Sequence, residues 1–196
     1  MIFLLFQLVL ISFLVSEKKQ KNDRVAHEVI TRTNANLETI LFSYSRIANI
    51  TFDEVIAKPE ITGIIQQAYQ ADELSREKLR EELHQKLLPT YRLLRDNGFR
   101  QFHFHFPNGV TFLRMHRPAK FNDPLFAFRP SVRIANTEKR PVEGFEEGRN
   151  YHAFRFVFPI FQQNTHVGSV EISVPFYSVQ KALIKAYPAE YFFMLK

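Results

Sequence analysis

The chain contains no cysteine. That absence removes disulfides, zinc–thiolate sites, iron–sulfur clusters, cysteine nucleophiles and covalent c-type haem attachment together. Tryptophan is missing too and glycine is scarce, with 6 residues against 21 phenylalanines in a chain of 196. Such a composition describes a packed interior, not a disordered or low-complexity chain. Catalytic signatures are also lacking: there is no nucleophile elbow, phosphate-binding glycine loop, HExxH or aspartate pair at fixed spacing. Glu143, Glu146 and Glu147 read more simply as a solvated loop than as an acid/base pair. The chain is therefore read as non-enzymatic.

What is present, 45% hydrophobic and 14% aromatic residues, suffices for one good core and not for two large domains. The formal charge of +6 suits an anionic partner: nucleic acid, lipid headgroups or acidic solutes. Lysine and arginine are scattered and no nucleic-acid-binding pattern accompanies them, so nucleic acid is set aside.

Residues 2–15, IFLLFQLVLISFLV, form an apolar run interrupted only by Gln7 and Ser12. It is shorter than the roughly 20 residues that span a bilayer and reads as a truncated transmembrane helix or the core of a signal sequence. No basic residue precedes it, no A-x-A-like site follows, and Lys18, Lys19 and Lys21 lie on its far side, so the positive-inside rule does not assist. A membrane anchor is still expected over a buried core helix. Val25, Val29, Leu37, Ile40, Leu41, Tyr44, Ile47 and Ala48 then recur mostly at helical spacing, and neither proline nor glycine occurs from Ser16 to Lys58. This predicts one helix of about 40 residues, ~60 Å long, which one small domain cannot bury and which is expected to protrude as a stalk or pair with a second copy in a homodimer.

Pro59 breaks the pattern. Residues 60–69 predict a short helix, and a third helix is expected from Ser75, as N-cap, to Leu94, kinked at Pro89 and ended by Asp96, Asn97 and Gly98. Strict alternation follows over residues 100–106, with Phe102, Phe104 and Phe106 on one face and Gln101, His103 and His105 on the other. Pro107, Asn108 and Gly109 make a hairpin turn, and the return strand sets Val110, Phe112, Arg114 and His116 against Thr111, Leu113, Met115 and Arg117. Residues 118–150 lose periodicity and gain charge; a helical piece at 125–137 is expected to lie across the sheet and close a cavity. Strands at 151–161 and 165–174 complete the sheet. The fold class is α+β: a long N-terminal helical stalk, then an antiparallel five-stranded sheet with flanking helices.

The motifs FHFHFPNGVTFLRMHRP, FNDPL, GFEEGR, FRFVFPIF and VGSVEIS, within roughly residues 22–196, resemble the double-Cache sensory domains of bacterial histidine kinases, chemoreceptors and diguanylate cyclases, which are PAS-like in shape. The resemblance implies a membrane-distal ligand module after a long N-terminal helix, output through a later transmembrane helix, and a sensor held in the periplasm by the bacterial inner membrane. The expected divisions are a membrane segment or signal anchor at 1–16, a stalk at 17–58, the Cache/PAS-like sensing module at 59–190 and, in the apolar YFFMLK, the start of a further element at 191–196. The chain reads as a piece of a larger receptor.

Arg114, His116, Arg129, Arg133 and Arg155 are the candidates for pointing inward, and arginine grips carboxylate or phosphate through paired hydrogen bonds. The expected ligand is a small anion, an organic acid or the carboxylate of an amino acid. The alternative is that these arginines pair with Asp123, Glu143, Glu146 and Glu147 to fasten the long loop to the sheet. His103 and His105 join the candidate ligand-binding set. With His116 they make a conceivable three-nitrogen metal site, but a strand histidine is more often a packing residue, and no metal or cofactor is assigned. The expected mechanism is ligand drawing the loop with Arg129 and Arg133 toward the strands with Arg114 and Arg155. The competing function is a membrane-anchored protein-interaction module without a small-molecule pocket.

Overall fold

The absence of proline and glycine before Lys58 gives a first helix, α1, that runs uninterrupted over Ile2–Thr51. The computed structural model describes residues 2–148, 152–189 and 191. It divides into two compact units, Met1–Ile40, which is the N-terminal part of α1, and Leu41–Lys196, which holds everything else. Among the described residues no helix is long and apolar enough to cross a membrane. In the second unit α1 ends in a wide π turn over Phe52–Ile56, closed where the Ala57 amide donates to the Phe52 carbonyl at 2.9 Å.

Pro59 does not merely end a helix; it starts α2 (Pro59–Gln70) at a first-turn position where its missing N–H costs nothing. α3 (Glu73–Asp96) is capped by Asp72, whose carboxylate accepts from the Ser75 amide at 2.8 Å, so Ser75 supplies the capped amide and is not itself the cap. The helix continues through Pro89 and buries Leu83, Leu87 and Leu94 along one face. Gly98, at φ +90°, then turns the chain into the sheet.

The sheet contains β1 (Gln101–His105), β2 (Thr111–Arg114), β3 (Val142–Glu146), β4 (Ala153–Gln162) and β5 (Thr165–Pro175), all antiparallel, in the order β2-β1-β5-β4-β3. α4 (Pro130–Thr137) lies between β2 and β3, and α5 (Phe176–Ala186) follows β5. The expected helix at 125–137 thus begins only at Pro130, and the stretch read as irregular up to 150 contains an edge strand. Residues 149–151, where the strand at 151–161 was expected to start, and the further element expected at 191–196, apart from Tyr191, lie outside the described residues.

Register sorts the two faces of the sheet. Phe102 and Phe104, Val170, Ile172 and Val174, and Phe156 and Phe158 share one face and are buried. The end of α1 and α2 cover it: Phe52 stacks on Phe158 at 4.7 Å, and α2 packs on β4 and β5. The opposite face carries Gln101, His103, His105, Arg114, Arg155, Ser169, Glu171 and Ser173, and all but Gln101 are buried. It is roofed by α4 and the segment before it, through Leu125, Val132 and Ala135 packed with Val157. A sheet face that would ordinarily meet solvent is therefore polar and enclosed, which demands partners for its charges.

Candidate ligand-binding site

Arg114, on β2, forms a two-pronged pair with Asp123 in the following loop, with both N···O distances 2.5 Å, and also donates to the Lys120 carbonyl at 2.8 Å. That fork is the main reason Asp123's carboxyl lies below its ordinary value; burial opposes it and the Arg114 charge adds to it. The pair draws the loop back over the sheet and leaves a cavity of about 130 Å³ beneath it. Arg100, Arg114, Arg117, Lys120 and Arg129 line this cavity against one carboxylate, Asp123, with Gln101, His103, His116, Leu125 and Phe128 contributing the rest of the wall.

Four of the seven expected site residues, His103, Arg114, His116 and Arg129, line that cavity. Arg129 also donates to the Glu147 carbonyl at 3.2 Å and lies 3.7 Å from Glu146. Arg155 and His105 are wholly buried and are not in the wall. Arg155 is tied to Glu171, donates to Gln101 at 2.7 Å, and brings Nε within 3.2 Å of Glu146 Oε1 without hydrogen-bond alignment. Arg133 is exposed, because α4 turns Val132, Ala135 and Asn136 inward and leaves Arg133 on the outer side. The loop-fastening alternative thus has direct geometric counterparts in Arg114–Asp123, Arg129–Glu146 and Arg155–Glu146. Glu143 does not take part in it; it accepts from the Ser45 hydroxyl at 2.8 Å.

His116 stacks on His103 with ring centroids 5.0 Å apart and planes 17° from parallel. Burial pushes the His105 and His116 imidazoles down to about 4, with the Arg100, Arg117 and Arg114 charges adding to it at His116, and drives His103 well below its ordinary value. At Glu171 burial is the largest single influence and acts upward, but the Arg155 charge, the other neighbouring cations and the Ser173 hydrogen bond together outweigh it and the carboxyl ends below its ordinary value. The enclosed face therefore holds neutral imidazoles between ionised pairs.

Residues 16–196 match the dCache_3 family, described as the double sensory domain of two-component sensor kinase. The chain belongs to the double-Cache sensory domains. Among curated proteins, none matches it. Solved structures similar to this double-Cache chain include the sensory domain of the Campylobacter jejuni chemoreceptor Tlp3 (CcmL), at 11% identity and a TM-score of 0.53 over 80% of this chain and 61% of that one. The ligand-binding domain of Tlp3 in complex with L-valine gives 11% identity and a TM-score of 0.56, over 81% of this chain and 61% of that one. The same domain with L-norvaline gives 12% and 0.54, over 78% and 59%. At such identity the likeness concerns the fold, and the chain spans about three fifths of the length of these structures.

In this double-Cache domain the residues that sequence reasoning left out of the cavity wall are Arg100, Gln101, Arg117, Lys120, Asp123, Leu125 and Phe128. Alternation signalled Gln101, which shares a face with His103. Arg117 and Lys120 lie past the end of β2, where alternation no longer applies. Non-local contacts hold that loop against the sheet: the Arg114–Asp123 pair, nine residues apart in the chain, the Arg114 bond to the Lys120 carbonyl, and backbone bonds between Thr111 and both Asn122 and Asp123.

Proposed function

We infer that this double-Cache domain is the extracytoplasmic ligand-sensing part of a bacterial transmembrane receptor and that it binds a small solute bearing a carboxylate. The observation that carries this is the cavity wall, five cations against the single carboxylate of Asp123. Among the described residues Arg117 and Lys120 have no carboxylate within ion-pair distance, so they are suited to take the ligand's. Asp123 offers the complementary charge for an ammonium group. An α-amino acid fits both, in keeping with Tlp3, solved with L-valine and L-norvaline. A volume of about 130 Å³ suits such a solute; drug-sized ligands occupy about 300–1,000 Å³.

Ligand would draw the loop carrying Lys120 and Arg129 toward His103 and Arg114. The stalk would pass that closure on within a homodimer, and the apolar N-terminal run would hold the sensor on the periplasmic side of the inner membrane. Catalysis has no place in this reading. Titration calorimetry of the chain against amino acids and dicarboxylates tests it. Binding that Arg117→Ala and Lys120→Ala each weaken about tenfold, as expected for a charge-assisted bond of about 1.5 kcal/mol, supports it, and no binding across the panel defeats it. Spin labels at Arg32 test the output, since unchanged inter-stalk distances on ligand binding would sink the coupling.

One observation favours the interaction-module reading. A second groove of about 670 Å³ is lined by Arg95, Arg100, Arg117, Lys181 and Lys185, with Asp96 alone opposing them. An acidic partner protein would suit it.

A further inference from the structure

At the cavity wall, His103 on β1 faces Glu171 on β5 directly across the strand pair, and His105 follows two residues along on the same face. One ring nitrogen from each histidine and one carboxylate oxygen of Glu171 all lie within 4.8 Å of one another. The three side chains are 5%, 0% and 1% exposed. Within this enclosure the Nε2 atoms of both His103 and His105 lack any hydrogen-bond partner. Two orphaned imidazole nitrogens beside a carboxylate are costly unless something between them accepts their lone pairs.

We propose that His103, His105 and Glu171 form a binding site for a divalent late transition-metal ion of the zinc class. The donor set is two imidazole nitrogens and one carboxylate oxygen, the three-ligand pattern that leaves a fourth position for water or a solute. Calcium and magnesium prefer oxygen shells, and the nitrogen-rich set disfavours them. The required histidine tautomer has a natural support. His105 Nδ1 lies 3.1 Å from Ser169 Oγ, which also accepts from Asn136 Nδ2 at 2.8 Å. A proton donated from Nδ1 to Ser169 leaves the free lone pair on Nε2, the ring nitrogen that has no hydrogen-bond partner.

Arg155 is the competitor, since it engages Glu171. Glu146, 3.2 Å from Arg155 Nε, offers that guanidinium a second carboxylate when a cation approaches Glu171. His116 stacks on His103 but lies outside the cluster of ligand atoms, so the pair from β1 is completed by Glu171. The site adjoins the cavity and shares His103 with its wall, while His105 and Glu171 lie outside that wall. It does not depend on the carboxylate-ligand reading.

Equilibrium dialysis of the 196-residue chain in detergent micelles, after chelator treatment, against Zn²⁺ and Co²⁺ tests the proposal. The expected result is one saturable ion per chain, with Co²⁺ giving visible ligand-field absorption. His105→Gln and Glu171→Gln should abolish both, while His27→Gln, on an exposed turn of α1, should leave them intact. Because a buried substitution can unfold the sheet, the unaltered protein provides a second arm. In a long-range ¹H–¹⁵N spectrum of its imidazoles, Zn²⁺ should shift the Nε2 resonances of His103 and His105. No saturable ion, an ion retained by both buried variants, or Nε2 resonances unmoved by Zn²⁺ would each overturn the site.

Discussion

Arg155 is among the largest side chains that the fold buries completely, and its charge is tolerated because Glu171 lies against it at 1% exposure, with Glu146 3.2 Å from its Nε and Gln101 accepting a further bond. Removing one member of such a pair strands the other, so Arg155→Met should destabilise the domain by about 3–5 kcal/mol in urea titrations. Arg155→Met with Glu171→Leu should recover most of that loss, because the fully buried carboxylate leaves with its partner and Glu146 keeps Arg129 at 3.7 Å. If the double variant is as unstable as the single one, the pair's worth lies in something other than charge compensation. Asp123 makes the complementary case nearer the surface. Arg114 holds its folded value below the unfolded one of about 3.9, so the associated stability is complete above that pH and is lost as pH falls through the folded value. Asp123→Asn should therefore show a shallower fall in unfolding free energy than the parent between about pH 4 and about pH 2, while the two run parallel above pH ~5.

Among the elements, β5 is the one on which the sheet is organised, since β1 and β4 both pair with it. Gly168 lets β1 approach: a Cβ there would sit 2.1 Å from the His105 carbonyl oxygen, at φ +149°. Gly168→Ala should cost on the order of 1–3 kcal/mol from backbone strain alone. Gly63→Ala, within α2, where the nearest atom would be 3.9 Å away, should stabilise by about 0.5–1 kcal/mol. Thermal unfolding of the two variants should move in opposite directions. Elements with strong periodicity were legible in the sequence: α1 from its unbroken helical run, and β1 from alternating phenylalanine and histidine. β3 was not, because VEGFE is a mostly exposed edge strand whose conformation comes from pairing with β4 rather than from its own residues. Alternation also failed across the first hairpin. The register slips between Phe104 and His105, so His105 faces Thr111 while His103 faces Arg114, and the polar set on β2 is not the one that strict alternation assigns. The cations beyond that irregularity were illegible for the same reason: a loop contact and no local period puts Arg117 and Lys120 on the cavity wall.

For the molecule as a whole, the sharpest contrast is between an apolar, exposed N-terminus and a domain that buries both an apolar and a polar face of its sheet. Residues 6–32 are exposed throughout, and among them Phe6, Leu8, Val9, Ile11, Phe13, Leu14 and Val15 are each more than half accessible. A contiguous apolar surface of that kind is costly in water and calls for lipid, detergent or another chain to cover it. Among the described residues buried hydrophobic side chains begin at Tyr44, so a deletion of residues 1–32 takes away no described core residue. The shortened chain is expected to keep its thermal midpoint and its affinity for the carboxylate ligand. In flotation with vesicles of mixed zwitterionic and anionic lipid, the full chain should rise with the lipid and the shortened one should remain in the aqueous layer. High salt separates two origins of that behaviour. Attachment through Lys18, Lys19 and Lys21 would be screened away, whereas attachment through the apolar run would persist. A full chain that stays in solution with vesicles at both salt concentrations would remove the membrane anchor from the proposed receptor and make self-association through the same surface the remaining explanation to test.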